Sequence, residues 1–353
     1  MTFEDLAKRT ASWLNGSGDL SALVVSSRVR LARNLPSARF AHLSAADERN
    51  GIIDAVVAAS RKDLSDQPLS YFDACDLEPS QRALLVERHL ISPALEKGDG
   101  PRGVLVNEQE DLSVMINEED HLRIQVMQSG FQVDEAWAIA RRSENRLAED
   151  LSFAFSDKWG YLTACPSNTG TGMRASILIH LPGLVLTQEM EGVVRGVTQM
   201  GFVVRGLYGE GSDVSGNLFQ VSNQVTLGRS EVEILEALDK VVQQLVQCEQ
   251  NARGTLLGDI RSQIEDKVWR AFGILSHARL LSSQGFMNLS SAVRLGIGLE
   301  LFDGIEVGTL NELMVRTKPF HLQNQAGRPL DSPERDRVRA DMARRRMAEL
   351  GNP

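Results

Sequence analysis

The chain has 353 residues, 42% hydrophobic and 24% charged, with a formal net charge of −9. That length can bury a large core and is expected to divide into two domains. The acidic balance argues against a general nucleic-acid binder and suits cationic partners.

No apolar run approaches the ~20 residues that span a bilayer, and the opening M-T-F-E-D-L-A-K-R-T lacks a signal peptide's apolar segment, so a soluble cytoplasmic protein without membrane contact is expected. Cys75, Cys165 and Cys248 are too few and too scattered for a disulfide framework or a zinc cluster. Residues 1–22 read as a short helical start and a Gly/Ser turn at Asn15-Gly16-Ser17-Gly18. In the next segment Arg28 and Arg30 alternate with Val29 and Leu31, so a strand here puts both guanidinium groups on one face. An exposed strand with a polar face has the same spacing. Two such forks can also hold polyphosphate oxygens bidentately, where lysine offers only a point charge.

Residues 45–62 and 79–90 read as amphipathic helices, and His89 falls near the negative end of the second one's dipole. Strands at 103–106 and 112–116 follow, joined by an acidic turn at 107–111. Two apolar flanks within 114–127 then enclose Asn117, Glu118, Glu119, Asp120, His121 and Arg123. Three adjacent carboxylates repel one another, and by composition alone this is an acidic hairpin turn. A long amphipathic helix is expected over 133–155. Beyond it, Gly170 and Gly172 would let the backbone approach a charged ligand closely, while a lone Cys165 is ordinarily a small buried hydrophobe.

A helix at 186–200 and a strand at 202–208 lead into Arg205-Gly206-Leu207-Tyr208-Gly209-Glu210-Gly211-Ser212, a glycine-rich, mobile loop in which Glu210 is ordinarily a solvated acid. After a returning strand at 217–227 the character turns helical: 230–283 with a break near 252–254, then 289–301 and 308–315. In the tail Ser332 is expected to cap a helix with Pro333 in its first turn. The run Arg335-Asp336-Arg337-Val338-Arg339-Ala340 is ordinarily a solvated charged face, yet Arg335 and Arg339 are i,i+4 neighbours that can converge on one phosphate. The chain has no G-x-x-x-x-G-K-[ST], and its strands do not alternate with helices, so the sheet is expected to be antiparallel.

Three of these stretches, S-S-R-V-R at 26–30, N-E-E-D-H-L-R at 117–123 and C-P-S-N-T-G-T-G-M-R-A-S at 165–176, resemble the signature segments of the phosphagen (ATP:guanido) kinases. The strings R-G-L-Y-G-E-G-S at 205–212, G-N-L-F-Q-V-S-N-Q at 216–224 and R-D-R-V-R-A at 335–340 are similar to one branch, the bacterial protein-arginine kinases of the McsB type. Asp213 stands where that branch has a glutamate. The resemblance implies an α+β fold: a short segment at 1–22, a catalytic domain at 23–252 with a helix-flanked antiparallel sheet of the glutamine-synthetase-like kind, and an all-α domain at 253–353 for dimerisation and phosphoarginine binding.

The resemblance also implies roles. Glu119 would be the base, Glu210 would grip the other side of the acceptor guanidinium, and Cys165 would lie alongside, its thiolate stabilised by neighbouring arginines. ATP would be bound by Ser26, Ser27, Arg28, Val29, Arg30, His89, Arg123, Arg174, Ala175, Ser176, Ile177, Leu178, Arg205, Gly206, Leu207, Tyr208 and Gly209. Mg²⁺ would sit on phosphate oxygens and water, with no protein metal site. Residues 335–340 (Arg335, Asp336, Arg337, Val338, Arg339, Ala340) would form an allosteric phosphoarginine site. Small-substrate phosphagen kinases carry a helical domain before the S-S-R motif, and with only 22 residues there the acceptor pocket is expected to be open enough for an arginine on a protein.

The implied function is a protein-arginine kinase that marks clients for Clp-type degradation in a stress response. Its implied partners are a zinc-finger activator, a heat-shock repressor and a Clp-type unfoldase, with assembly as a homodimer or larger oligomer. Two other readings stand beside it. One is a kinase of free arginine or another small guanidino compound. The other is a catalytically silent phosphoarginine-binding adaptor, against which Glu119, Glu210 and the five motif arginines argue, because an adaptor needs none of them.

Overall fold

In the computed structural model, residues 1–61, 68–206, 215–302 and 304–349 are described. The strands are β1 (Val24–Arg33), β2 (Ser70–Asp73), β3 (Gly103–Val106), β4 (Leu112–Ile116), β5 (Leu122–Ser129), β6 (Phe155–Ser156), β7 (Gly160–Tyr161), β8 (Met173–His180), β9 (Phe202–Gly206) and β10 (Leu218–Asn223). Eight of them form one sheet in the order β2-β3-β4-β5-β1-β8-β10-β9, every neighbouring pair antiparallel, while β6 and β7 make a separate ribbon. The expected antiparallel α+β class is therefore what the chain forms.

The helices are α1 (Phe3–Lys8), α2 (Ala46–Ser60), α3 (Pro79–Glu87), α4 (Pro93–Lys97), α5 (Val133–Ala148), α6 (Pro182–Leu186), α7 (Met190–Gln199), α8 (Glu231–His277), α9 (Ser283–Gly298), α10 (Val307–Arg316), α11 (Pro319–Ala326) and α12 (Ser332–Glu349). Because side chains alternate across a strand, the sheet has two different faces. Val29, Leu31, Ile124, Val126, Ala175, Ile177 and Val221 form one face and pack into a core with α2, α5 and the first half of α8. On the other face, Met127, Leu178 and Leu218 join a second cluster with Trp13 and the C-terminal helices. That cluster covers only one end of the face, which elsewhere on β1, β5 and β8 carries Arg28, Arg30, Arg123 and Arg174. A third, smaller cluster seats α1 and α3 against β2–β4.

Several boundaries differ from expectation for local reasons. The 47-residue α8 runs unbroken through 252–254, and its non-helical residue is Ile260. Glu249 explains the continuity. Its buried carboxylate accepts the backbone N–H groups of Gly183 and Leu184 at the start of α6 (2.9 and 3.0 Å) and pairs with Arg253 one turn on at 2.7 Å. The helix expected at 186–200 starts only at Met190, after α6 has ended at Leu186 and the chain has turned at Gln188 with φ +63°. The helix expected to reach 155 ends at Ala148. At α12 the cap is Asp331, whose carboxylate accepts from Glu334 N at 2.8 Å, and Ser332 already lies in the first turn. Among the described residues no helix is long and apolar enough to cross a membrane.

Replacing Glu249 by Ala leaves Arg253 buried without its partner and two N–H groups without their acceptor. Glu249→Ala is expected to lower the free energy of unfolding by about 3–5 kcal/mol, the usual cost of breaking a buried pair. A urea midpoint equal to the parent's would show that the pair carries no such weight.

Candidate active site

Register decides which side chains meet on the open face. Arg30 stands opposite Arg174 and Arg28 opposite Ser176, while Ala32 stands opposite Arg123. Leu178 stands opposite Gln220, which in turn faces Arg205. Cross-strand partners share a face, so four strands direct Arg28, Arg30, Arg123, Arg174 and Arg205 to the same side of the sheet. The separate sequence motifs become one surface.

Among the described residues, guanidinium groups outnumber carboxylates on that surface. The Nε atoms of Arg28 and Arg30 are buried without a hydrogen-bond partner. Burial, then the neighbouring charges of Arg123 and Arg174, pushes the Arg28 pKa down to about 10. Burial and the surrounding guanidinium groups hold Arg30 well below its ordinary value, against the pull of Glu118. Like charges crowded into a low-dielectric face favour a bound polyanion. The orphaned donors fit the oxygens of a triphosphate, since charge-assisted bonds to guanidinium are strong and directional.

The acidic hairpin between β4 and β5 is not a solvated turn. Asn117, at φ +59°, anchors it through Nδ2 to the carbonyls of Arg49 and Pro101 at 3.0 and 3.1 Å. Glu118 is buried, accepts from Arg123 Nη1 at 2.7 Å and from Ser92 Oγ, and so fixes Arg123 in the arginine group. Asp120 is buried too, accepting from Asn34 Nδ2 at 2.6 Å and from Ala164 N at 2.7 Å. His121 Nδ1 accepts from Leu35 N at 3.0 Å, which leaves Nε2 to donate to the Arg39 carbonyl at 2.7 Å. Burial lowers its pKa and favours the neutral ring. Only Glu119 turns outward, its side chain 42% exposed. It touches Arg123 Nη2 at 3.4 Å and Asn168 Nδ2 at 3.3 Å.

Asp120 thus ties the backbone just before Cys165 to the hairpin that carries Glu119. Cys165 is partly buried, with Sγ 3.0 Å from Ser167 Oγ. The glycines beyond it serve packing rather than ligand approach. A Cβ on Gly170 would lie 2.3 Å from the Thr226 carbonyl, and one on Gly172 2.5 Å from Arg33 Nη1. Arg33 itself is buried, pairs with Glu144 at 2.5 Å and lies 3.4 Å from the Tyr161 ring centroid, fixing the loop from beneath.

The remaining expected nucleotide contacts divide. His89 follows α3 at φ +62°, packs edge-to-face on Trp13 at 5.6 Å, and is kept neutral by burial and then by the charges of Lys318, Arg28 and His321. It lines a small cavity with Ser26, Arg28, Ser176, Ile177 and Leu178. The side chains of Val29 and Ala175 belong to the helix-covered core, which leaves only their main chain for a ligand. Ser27 Oγ is engaged within the fold, donating to the Gly130 carbonyl at 2.9 Å and accepting from Gln132 N at 3.0 Å. Gly206 ends β9 opposite Phe219. Leu207, Tyr208, Gly209 and Glu210 lie outside the described residues. Among the described residues no three His, Cys, Asp or Glu side chains converge as a metal-holding group.

At the C-terminal motif, Arg339 is buried, donating to the carbonyls of Thr317 and Leu281 at 2.9 and 2.7 Å and to Asp336 at 2.6 Å. Arg335 donates to the Leu330 carbonyl at 2.8 Å and acts on Arg339 by its charge. Arg337 is exposed, Val338 half-buried and Ala340 buried. Sequence reasoning overlooked Glu118 and Asp120 as positioning groups. No spacing signal could reveal them, because their partners Ser92, Asn34 and Ala164 come from distant stretches.

A cationic sheet face beside an outward carboxylate suits the binding of a polyanion. The family model described as the ATP:guanido phosphotransferase C-terminal catalytic domain matches residues 51–252, and that of the protein-arginine kinase McsB C-terminal domain matches residues 261–353. The chain belongs to the ATP:guanido phosphotransferase family and is an enzyme of that class. A protein-arginine kinase of Pelotomaculum thermopropionicum is 45% identical over 99% of both chains, and one of Halothermothrix orenii is 44% identical over 98% of this chain and 99% of its own. Among solved structures, a lombricine kinase superposes with a TM-score of 0.61 at 27% identity, covering 68% of this chain and 70% of that one. The duplicated taurocyamine kinase from Schistosoma mansoni, determined with bound transition state analog components, gives 0.61 and 27% over 71% of this chain, which spans only 36% of that protein.

Proposed function

We propose that the chain transfers the γ-phosphoryl group of Mg-ATP to arginine side chains of proteins. The observation that carries this reading is the convergence of Arg28, Arg30, Arg123, Arg174 and Arg205 on one sheet face, with buried, unsatisfied Nε atoms on the first two. Mg-ATP would supply the transferred group, with the metal on phosphate oxygens and water. Arg28, Arg30 and Arg174 hold the phosphates, Glu118 keeps Arg123 aimed at them, and the work is positioning and charge neutralisation.

The acceptor needs a base. A guanidinium, with a pKa above ~12, has no free lone pair with which to attack. Glu119, the outward acid of the hairpin, takes a proton from the attacking nitrogen as the N–P bond forms and the bond to the ADP leaving oxygen breaks. Cys165 stands on the adjoining loop to orient the guanidinium, and Glu210 is assigned a second grip on it. The relatives' name supports a protein substrate. We divide the chain functionally into 1–22, the catalytic part at 23–252 and the helical part at 253–353, with Arg335, Asp336 and Arg339 as a regulatory phosphoarginine site. A cytoplasmic stress-response role fits this reading, with a zinc-finger activator, a heat-shock repressor, a Clp-type unfoldase and a second copy of the chain as partners.

Glu119→Gln is expected to keep nucleotide affinity and lower turnover by at least ~10²-fold, the scale of a general base. Phosphate incorporation into a cationic unfolded protein, followed by mass spectrometry under non-acidic handling, measures this, and a near-normal rate would remove Glu119 from the role. Free phosphoarginine is expected to change activity or oligomer size in the parent and not in Arg335→Ala. An unresponsive parent would dismiss the regulatory site.

A further inference from the structure

Two hollows meet at Phe155. Leu35, Phe40, Leu43 and Leu162 line the first, a mainly apolar one, with it; the second is mixed, with Trp159, Tyr161 and Leu227 beside Lys158, Arg229, Glu231 and Glu233. Leu43, Phe155, Trp159 and Leu227 are 59%, 58%, 47% and 44% exposed. Large apolar side chains gathered this way on a surface mark a binding strip rather than scatter. Its scaffold is rigid: Phe155 packs edge-to-face on Tyr161 at 5.2 Å, and Tyr161 rests on the buried Arg33–Glu144 pair.

The strip is continuous with the acceptor side of the active site. Asn34, which lines the first hollow, donates to the Leu162 carbonyl at 3.0 Å and to Asp120 at 2.6 Å. The same Asp120 oxygen accepts from Ala164 N. Leu162 precedes Cys165 by three residues, at most about 10 Å of extended chain, which is also the reach of about three residues of an extended substrate. A free guanidino compound has nothing to place that far from its reacting nitrogen. A polypeptide running past Glu119 does, and the first hollow is lined mainly by apolar side chains, with Asn34 and Arg39 as its polar members.

We propose that this strip binds the flank of the polypeptide whose arginine is phosphorylated, taking an aromatic or aliphatic side chain about three residues from the acceptor. The proposal rests on the protein-arginine reading above and names the sequence context that reading leaves open. It also gives the enzyme a reason to favour unfolded clients, whose apolar side chains are accessible.

The test uses the full-length enzyme with Mg-ATP and two peptides of equal length and charge. Each has a single arginine, flanked at three residues on both sides by Phe in one and by Ser in the other. The Phe peptide is expected to show a KM about tenfold lower at similar kcat, the discrimination an apolar pocket provides. Phe155→Ser and, separately, Leu43→Ser are expected to erase that difference while leaving the Ser peptide's kinetics unchanged. Equal KM for the two peptides in the parent overturns the strip alone. So does a variant that slows both peptides alike, or one that changes only oligomer mass, which would assign the strip to a second copy of the chain. Phosphorylation of neither peptide overturns the protein-arginine reading and this proposal with it.

Discussion

The constraint on which the rest of the molecule depends is the crowding of like charge on one face of an antiparallel sheet. β1 lies between β5 and β8, and the two registers put Arg30 beside Arg174 and Ala32 beside Arg123. Cross-strand neighbours on one face have Cβ atoms about 5 Å apart, so these guanidinium groups cannot avoid one another. The opposite face of the same strands buries Val29, Leu31, Ile124, Val126, Ala175 and Ile177 under helices, which opposes a slip in register: moving β1 by one residue would turn the arginines into the core. The hydrophobic core therefore enforces an electrostatic arrangement that is unfavourable until an anion arrives.

The acceptor side follows the opposite logic. There the fold neutralises and ties down two of the three acids of the β4–β5 hairpin. Glu118 is spent on Arg123 and Ser92, and Asp120 on Asn34 and Ala164, while neutral His121 bridges Leu35 and Arg39. What remains is Glu119, set on a hairpin whose other members cannot move independently. The role of base proposed for Glu119 needs this freedom to meet a proton, and it needs rigid neighbours to keep it in line.

Much of this was legible in the sequence, and the reasons differ by element. Alternation around Val29 and Leu31 placed Arg28 and Arg30 on one face without any knowledge of the fold, because the period of a strand is a local property. That Arg123, Arg174 and Arg205 share the face required strand register, which no single stretch contains. The triple acid at 118–120 read as a solvated turn because repulsion between carboxylates is visible in sequence, whereas the buried partners of Glu118 and Asp120 are not. Gly170 and Gly172 read as ligand-facing glycines. Their crowding is against Thr226 and Arg33, contacts made only when the loop closes on α5's partner Arg33 and the end of β10. The continuity of α8 past 252–254 likewise depends on Glu249 meeting α6.

On the proposed reading, Arg30 is held for a phosphate and at a cost to the ligand-free fold. Arg30→Met keeps the bulk of the side chain and removes the charge, a change that is often neutral or stabilising at a buried ion. Thermal unfolding without nucleotide, paired with calorimetric titration of Mg-ATP, measures both halves. The variant is predicted to unfold at an equal or higher temperature while its affinity for Mg-ATP falls roughly 10- to 100-fold, the weight of hydrogen bonds to a charged group. A less stable variant that binds Mg-ATP as well as the parent would contradict the account.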